Sequence, residues 1–119
     1  EAPYRIDAGR TAMQALMSTA RPPSAVFCGS DIIAVGAIKF CAGAGIDVPK
    51  QVSIIGFDNL EVAELVMPEL TTIEVPAREM GAQAAEILLA RFDNPDAPRV
   101  HELTTKLIVR GSTAPARGR

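Results

Sequence analysis

The chain has 119 residues, of which 48% are hydrophobic but only 4% aromatic, and its formal net charge is −2. That length supports one domain or part of one, with a core of small aliphatic side chains. Lys and Arg are scattered, apart from a modest C-terminal group of Arg110, Arg117 and Arg119. This argues against a nucleic-acid surface, which needs clustered cations, and no apolar run approaches the length that spans a bilayer.

In chain order, Glu1 to Ile6 is an entry segment, and Asp7 to about Thr19 reads as a helix with an apolar stripe of Ala12, Met13, Leu16 and Ala20. Arg21-Pro22-Pro23-Ser24 stops it. Ala25 to Gly29 reads as a buried strand. Ser30 or Asp31 can cap the next helix, Asp31 to about Ala44, which Gly43 and Gly45 close. Past its cap that helix has one charged residue, Lys39, and is apolar nearly all round. Such a helix belongs either at the centre of a larger fold or at a subunit interface on its outer face.

Val52 to Phe57 is a continuous apolar run that reads as a strand buried on both faces of a parallel sheet. It ends in the polar pair Asp58-Asn59, just as the first strand ends in Ser30-Asp31. In open α/β sheets ligands collect outside the carboxyl ends of strands, so these two tips form a candidate small-molecule site. A short helical turn is expected around Glu61 to Val66, and an extended segment from Leu70 to Val75. An amphipathic helix follows from Ala77 to about Phe92, with Met80, Ala84, Ile87, Leu88 and Arg91 along one face. Val100 to Val109 reads as a last strand, and Ser112 to Arg119 as a frayed tail. The order gives right-handed βαβ crossovers and an α/β class with a mostly parallel sheet and flanking helices. The few strands suit part of a larger α/β domain.

Chemistry is sparse. Cys28 and Cys41 fit no metal or redox spacing and read as two reduced, buried thiols of a cytosolic protein. His101 is the only histidine and has no Ser or Cys partner in a recognisable motif. No enzyme, cofactor or metal is expected. No secretory signal is visible, although the first residue is Glu rather than Met, which leaves room for an upstream segment.

The runs Pro23 to Ala37, Gly45 to Asn59, Pro68 to Ile73 and Leu107 to Thr113, in this order, closely resemble the effector-binding domain of the lactose-repressor/galactose-repressor (LacI/GalR) family. The stretch Val26 to Ala37 is especially similar to the purine-repressor branch. The resemblance covers nearly the whole chain. It implies a periplasmic-binding-protein-like fold, with two α/β lobes and an effector in the cleft between them. This chain matches the C-terminal part: residues 1–68 and 100–112 are expected in the C-terminal lobe. Residues 71–92 are expected to cross to the N-terminal lobe. The DNA-binding domain, the hinge helix and most of the N-terminal lobe are not in the matched segment.

For the site, the resemblance makes Asp58 an effector contact, able to accept from sugar hydroxyls or a base N–H; the other reading is an Asp that caps the turn. Asn59 reads as a turn or cap residue. Ser30 stands where some family members carry an effector-binding Asn, and is equally an N-cap. Asp31 either caps the helix or lines the cleft. Tyr4 falls where the family places a ring that stacks on the effector, or is an ordinary aromatic near a chain end. Val35, Val66 and Met67 resemble dimer-interface positions, the alternative being core packing.

The expected function is the effector-sensing part of a cytoplasmic, homodimeric transcriptional regulator that binds a sugar or a purine or nucleoside and reaches operator DNA only through another domain. The alternative is a periplasmic sugar-binding protein of the same fold. With half the cleft elsewhere, this chain alone is expected to bind effector weakly or not at all. Self-association is expected through the Asp31 to Ala44 helix, the Ala77 to Phe92 helix, or both.

Overall fold

The computed structural model describes residues 5–96 and 100–116. Its elements are α1 (Ile6–Met17), β1 (Ala25–Phe27), α2 (Asp31–Ala44), β2 (Ser53–Ile55), α3 (Val62–Leu65), β3 (Thr72–Glu74), α4 (Ala77–Asp93) and β4 (Lys106–Ile108). They fall into two compact units, residues 1–74 with 107–119 and residues 75–106.

In the first unit β1 and β2 pair in parallel, Val26 opposite Ile54, with α2 as the crossover between them. The backbone of β2 continues into a third strand: Gly56 N–H donates to the Thr71 carbonyl and Asp58 N–H to the Ile73 carbonyl, both at 2.9 Å. β3 in turn neighbours β4. Ser30 caps α2, its Oγ accepting from the Ile33 N–H at 3.4 Å. Gly45, at φ +69°, closes it in the left-handed conformation that glycine adopts without strain, while the Ile46 N–H reaches back to the Cys41 carbonyl at 2.9 Å.

The all-round apolar character of α2 has an intramolecular cause. One face joins Met13, Cys28, Val52, Ile54, Ala63 and Leu70 in the core. The face expected to meet a second subunit is largely taken by α1. The two helices cross where Gly9 lies against the Ile33 carbonyl, and Gly36 against the Ile6 carbonyl and the Arg10 N–H. The expectation of a free apolar face on α2 is therefore corrected. On α1 Gly9 and Met13 are buried and Ala8, Ala12 and Met17 half-buried, while Leu16 and Ala20, expected in the apolar stripe with Ala12 and Met13, are exposed.

Two further expectations change. β2 is not buried on both faces: Val52, Ile54 and Gly56 are buried, but Ser53 and Ile55 are only half-buried. On the same open side Phe27 of β1 is 59% exposed and forms a T-shaped pair with Phe57, ring centroids 6.5 Å apart. Among the described residues the helices cover one side of the sheet. The tail does not fray at Ser112 either. It is fully buried; its Oγ donates to the Ile54 carbonyl at 2.6 Å and accepts from the Thr71 N–H at 2.8 Å.

Cys28 and Cys41 are buried and unbonded. Burial, and then the Asp31 charge, push the Cys28 thiol up to about 11; burial also raises Cys41. The thiolate is the reactive form, so the folded chain at pH 8 should resist a thiol-specific reagent, with both cysteines reacting only after denaturant is added. Prompt labelling of the native chain would contradict the burial.

The second unit contains α4, which has no buried residue. Its least exposed positions are Gln83, Ile87 and Arg91, while Met80, Ala84 and Leu88 of the expected apolar face are exposed. β4 is limited to three residues where a strand from Val100 to Val109 was expected.

Candidate functional site

The carboxyl ends of β1 and β2 bring the sequence-predicted pairs Ser30-Asp31 and Asp58-Asn59 to one edge of the sheet. Asp31 is fully buried. Its Oδ1 accepts from the Thr72 hydroxyl at 2.6 Å and its Oδ2 from the Leu60 N–H at 2.7 Å, while its own N–H donates to the Phe57 carbonyl at 2.9 Å. This carboxylate ties the start of α2 to the turn after β2 and to β3, and is closed to solvent. Ser30 is also buried and serves as the helix cap.

The turn itself is held at three successive amides. Asp58 N–H goes to the Ile73 carbonyl, Asn59 N–H to Thr72 Oγ1 at 3.4 Å, and Leu60 N–H to Asp31. Asp58 and Asn59 both have positive φ, +103° and +52°. Asn tolerates that region better than most residues, whereas Asp58 sits well outside the usual left-handed well, at a cost of order 1–3 kcal/mol. The Asn59 side chain is fully engaged: Oδ1 accepts from Arg110 Nη2 at 2.9 Å and Nδ2 donates to Glu74 Oε1 at 3.2 Å.

In contrast, the Asp58 side chain is exposed and has no hydrogen-bond or ion-pair partner among the described residues. Desolvation, and then the Asp31 charge, raise its pKa above the ordinary aspartate value. Losing the proton is thus harder in the folded chain than in the unfolded one, so Asp58 contributes stability below its unfolded pKa that is lost as pH rises through its raised folded pKa. Asp58→Gly removes both the strained φ and the charge. It should raise the Tm by a few degrees, since about 1 kcal/mol is worth roughly 4–8 °C in a domain of this size. A lower Tm in thermal unfolding would show that the strain is absent. A strained, unpartnered carboxylate on a tightly tethered turn adds nothing to stability.

Of the other expected residues, Tyr4 lies outside the described residues. Val35 is 2% exposed, Val66 half-buried and Met67 82% exposed. Sequence reasoning missed Arg110, Thr72 and Ser112. They meet the turn, the sheet or the start of α2 from positions 13 to 58 residues away along the chain, and no local spacing signals such a contact. A concavity of about 300 Å³ lies at the opposite, amino-terminal end of β1 and β2, lined by Ser24, Lys50, Ser53, Thr113 and neighbouring residues. Among the described residues no cluster of His, Cys, Asp and Glu could hold a metal ion.

A family model described as "Periplasmic binding protein-like domain" matches residues 1–113. The HTH-type transcriptional repressor CytR of Escherichia coli K12 is 40% identical over 111 residues, which are 92% of this chain and 33% of CytR. A LacI family transcriptional regulator of Bifidobacterium animalis superposes with TM-score 0.91 at 29% identity, over 98% of this chain and 43% of the other. A LacI family regulator of Enterococcus faecalis V583, solved with bound ribose, gives TM-score 0.84 at 35% identity, again over 98% and 43%. The chain thus spans about a third of the length of the repressors it matches. With its parallel strands and flanking helices, it belongs to the periplasmic binding protein-like domain family and corresponds to part of the effector-binding domain of LacI-type regulators.

Proposed function

We propose that this chain is the effector-sensing part of a DNA-binding transcriptional regulator and that Asp58 contacts the effector. The observation that carries this reading is the Asp58 carboxylate, strained and without a partner at the end of β2, on a turn whose three amides are all tethered. A pre-set acceptor of this kind suits hydroxyl or N–H donors, as on a sugar, nucleoside or purine. The ribose held by the Enterococcus faecalis relative supports a sugar-type effector. Ser30 and Asp31 would act behind Asp58, as supports of the platform.

In this reading residues 1–68 and 100–112 belong to the C-terminal lobe and residues 71–92 to the N-terminal lobe. Effector in the cleft biases lobe closure, and that bias reaches DNA through another domain of the regulator. The exposed Leu65 and Met67, flanking Val66 beside α3, are the surface for a homodimer in the cytoplasm. A periplasmic sugar-binding protein shares the fold, but the repressor names of the relatives favour the regulator.

The test is a thermal-shift series with D-ribose, cellobiose, ribonucleosides and purine bases on the native chain and Asp58→Ala. A ligand at 100 times its Kd stabilises by about 2.7 kcal/mol through mass action. At ligand concentrations high enough to fill a weak site, a shift present in the native chain and lost in Asp58→Ala is expected. A shift of the same size in both proteins would remove Asp58 from the site.

A further inference from the structure

Besides the three tethered amides, the turn that carries Asp58 has a charged side-chain contact from a residue distant in sequence. The Arg110 side chain is only 10% exposed. Its guanidinium reaches three segments at once: Nη1 donates to the Leu70 carbonyl at 3.0 Å, while Nη2 donates to Asn59 Oδ1 and to Glu64 Oε1, both at 2.9 Å. Its backbone N–H donates to Thr71 Oγ1 at 3.0 Å, fixing the base of the side chain.

We propose that Arg110 is a positioning residue for Asp58: by gripping the Asn59 amide it holds the turn after β2 in its positive-φ conformation and keeps the neighbouring carboxylate presented at the strand end. The geometry is selective. Asn59 is the residue next to Asp58, and Arg110 is one of two side chains that bind its amide, Glu74 being the other. The planar fork of an arginine can serve the carbonyl and the amide together, which a single ammonium cannot do with the same directions. Glu64 is largely exposed, so its ion pair with Arg110 contributes little by itself.

This inference rests on Asp58 being the effector contact, but its test needs no effector. The carboxyl 13C resonance of Asp58 is titrated in the native chain, R110Q, N59G, E64Q and the double variant R110Q/N59G. Asn59→Gly accepts positive φ freely and removes only the amide, so it carries the test if R110Q does not fold. N59G should move the Asp58 midpoint down toward the ordinary aspartate value, as the released turn carries the carboxylate away from the buried Asp31 charge, and R110Q should also move the midpoint from its native position. The double variant should move it no further than either single change, because the two residues act through one contact. E64Q should leave it where it is.

If Arg110 only held segments together, R110Q would lower the Tm without moving the Asp58 midpoint, and that outcome overturns the proposal; so does a fully additive double variant. Retained ligand shifts in Asp58→Ala, in contrast, would end the effector reading while leaving this titration result standing.

Discussion

Gly36→Ala is expected to lower the Tm by about 10 °C, although alanine is the better helix former. On propensity alone the change would stabilise α2 by about 1 kcal/mol. The packing reverses the sign. A methyl group at position 36 would run into the Ile6 carbonyl, with the Arg10 N at 2.9 Å and the Gly9 Cα at 3.0 Å. These are backbone atoms of α1 and its start, and cannot turn aside as a side chain would, so the two helices must separate. Overpacking of this kind costs about 1–3 kcal/mol, and each kcal/mol is worth roughly 4–8 °C here. Gly43 supplies the control from the same helix. Nothing lies within 4 Å of a Cβ built there, so Gly43→Ala should leave the Tm unchanged or raise it slightly. Equal effects at the two glycines would mean that α1 does not sit on α2 as described.

Asp31→Ala should be the most damaging single change near the site, at about 2–5 kcal/mol. It strands two donors at once, the Thr72 hydroxyl and the Leu60 N–H, in a place fully closed to water. A buried donor left without an acceptor costs about 1–3 kcal/mol, and more where the lost partner was charged. Thr72→Val removes one of the two Asp31 bonds and the longer Asn59 N–H contact at 3.4 Å, leaves the Leu60 N–H bond to Asp31 in place, and should cost less. Asp58→Ala, which breaks no hydrogen bond, should cost little or nothing. Urea unfolding of the three variants would establish the ranking. An Asp31→Ala chain as stable as Asp58→Ala would show that the buried carboxylate does not tie the turn to α2. The two neighbouring aspartates thus separate by role, Asp31 holding the platform and Asp58 standing on it.

Much of the unit that carries the site was legible in the residues. The Ser30 cap, the Gly45 stop and the Asp31–Ala44 helix follow local rules, and they match the observed bounds of α2. The parallel pairing of β1 and β2 across that helix follows from the βαβ order. What was not legible depends on contacts distant in sequence. The apolar surface of α2 could be read as an interface because nothing in its own pattern says that α1, through Gly9 and Gly36, will cover it. The apolar run Val52 to Phe57 says that a strand can be buried on two faces, but whether a second cover exists is a property of the whole domain.

The strand ends showed which residues could bind, not which ones would be closed off. Ser30-Asp31 and Asp58-Asn59 look alike as polar pairs, yet Asp31 finds Thr72 and Leu60 while Asp58 finds no partner among the described residues. Arg110 and Ser112 lie in what reads as the end of a strand and a loose tail. Their roles appear only when the chain returns to the sheet beside β2 and β3. The expected long final strand is likewise reduced to Lys106–Ile108.

The central claim is that a small effector meets this chain at the carboxyl end of β2. The most direct test is an amide chemical-shift titration of the isotopically labelled chain with D-ribose and with a ribonucleoside, at concentrations high enough to detect weak binding. Shifts that cluster at Gly29 to Asp31 and Phe57 to Leu60, and vanish in Asp58→Ala, are the predicted result. Shifts that cluster instead around Ser24, Lys50, Ser53 and Thr113, in the concavity at the other end of the strands, would contradict it.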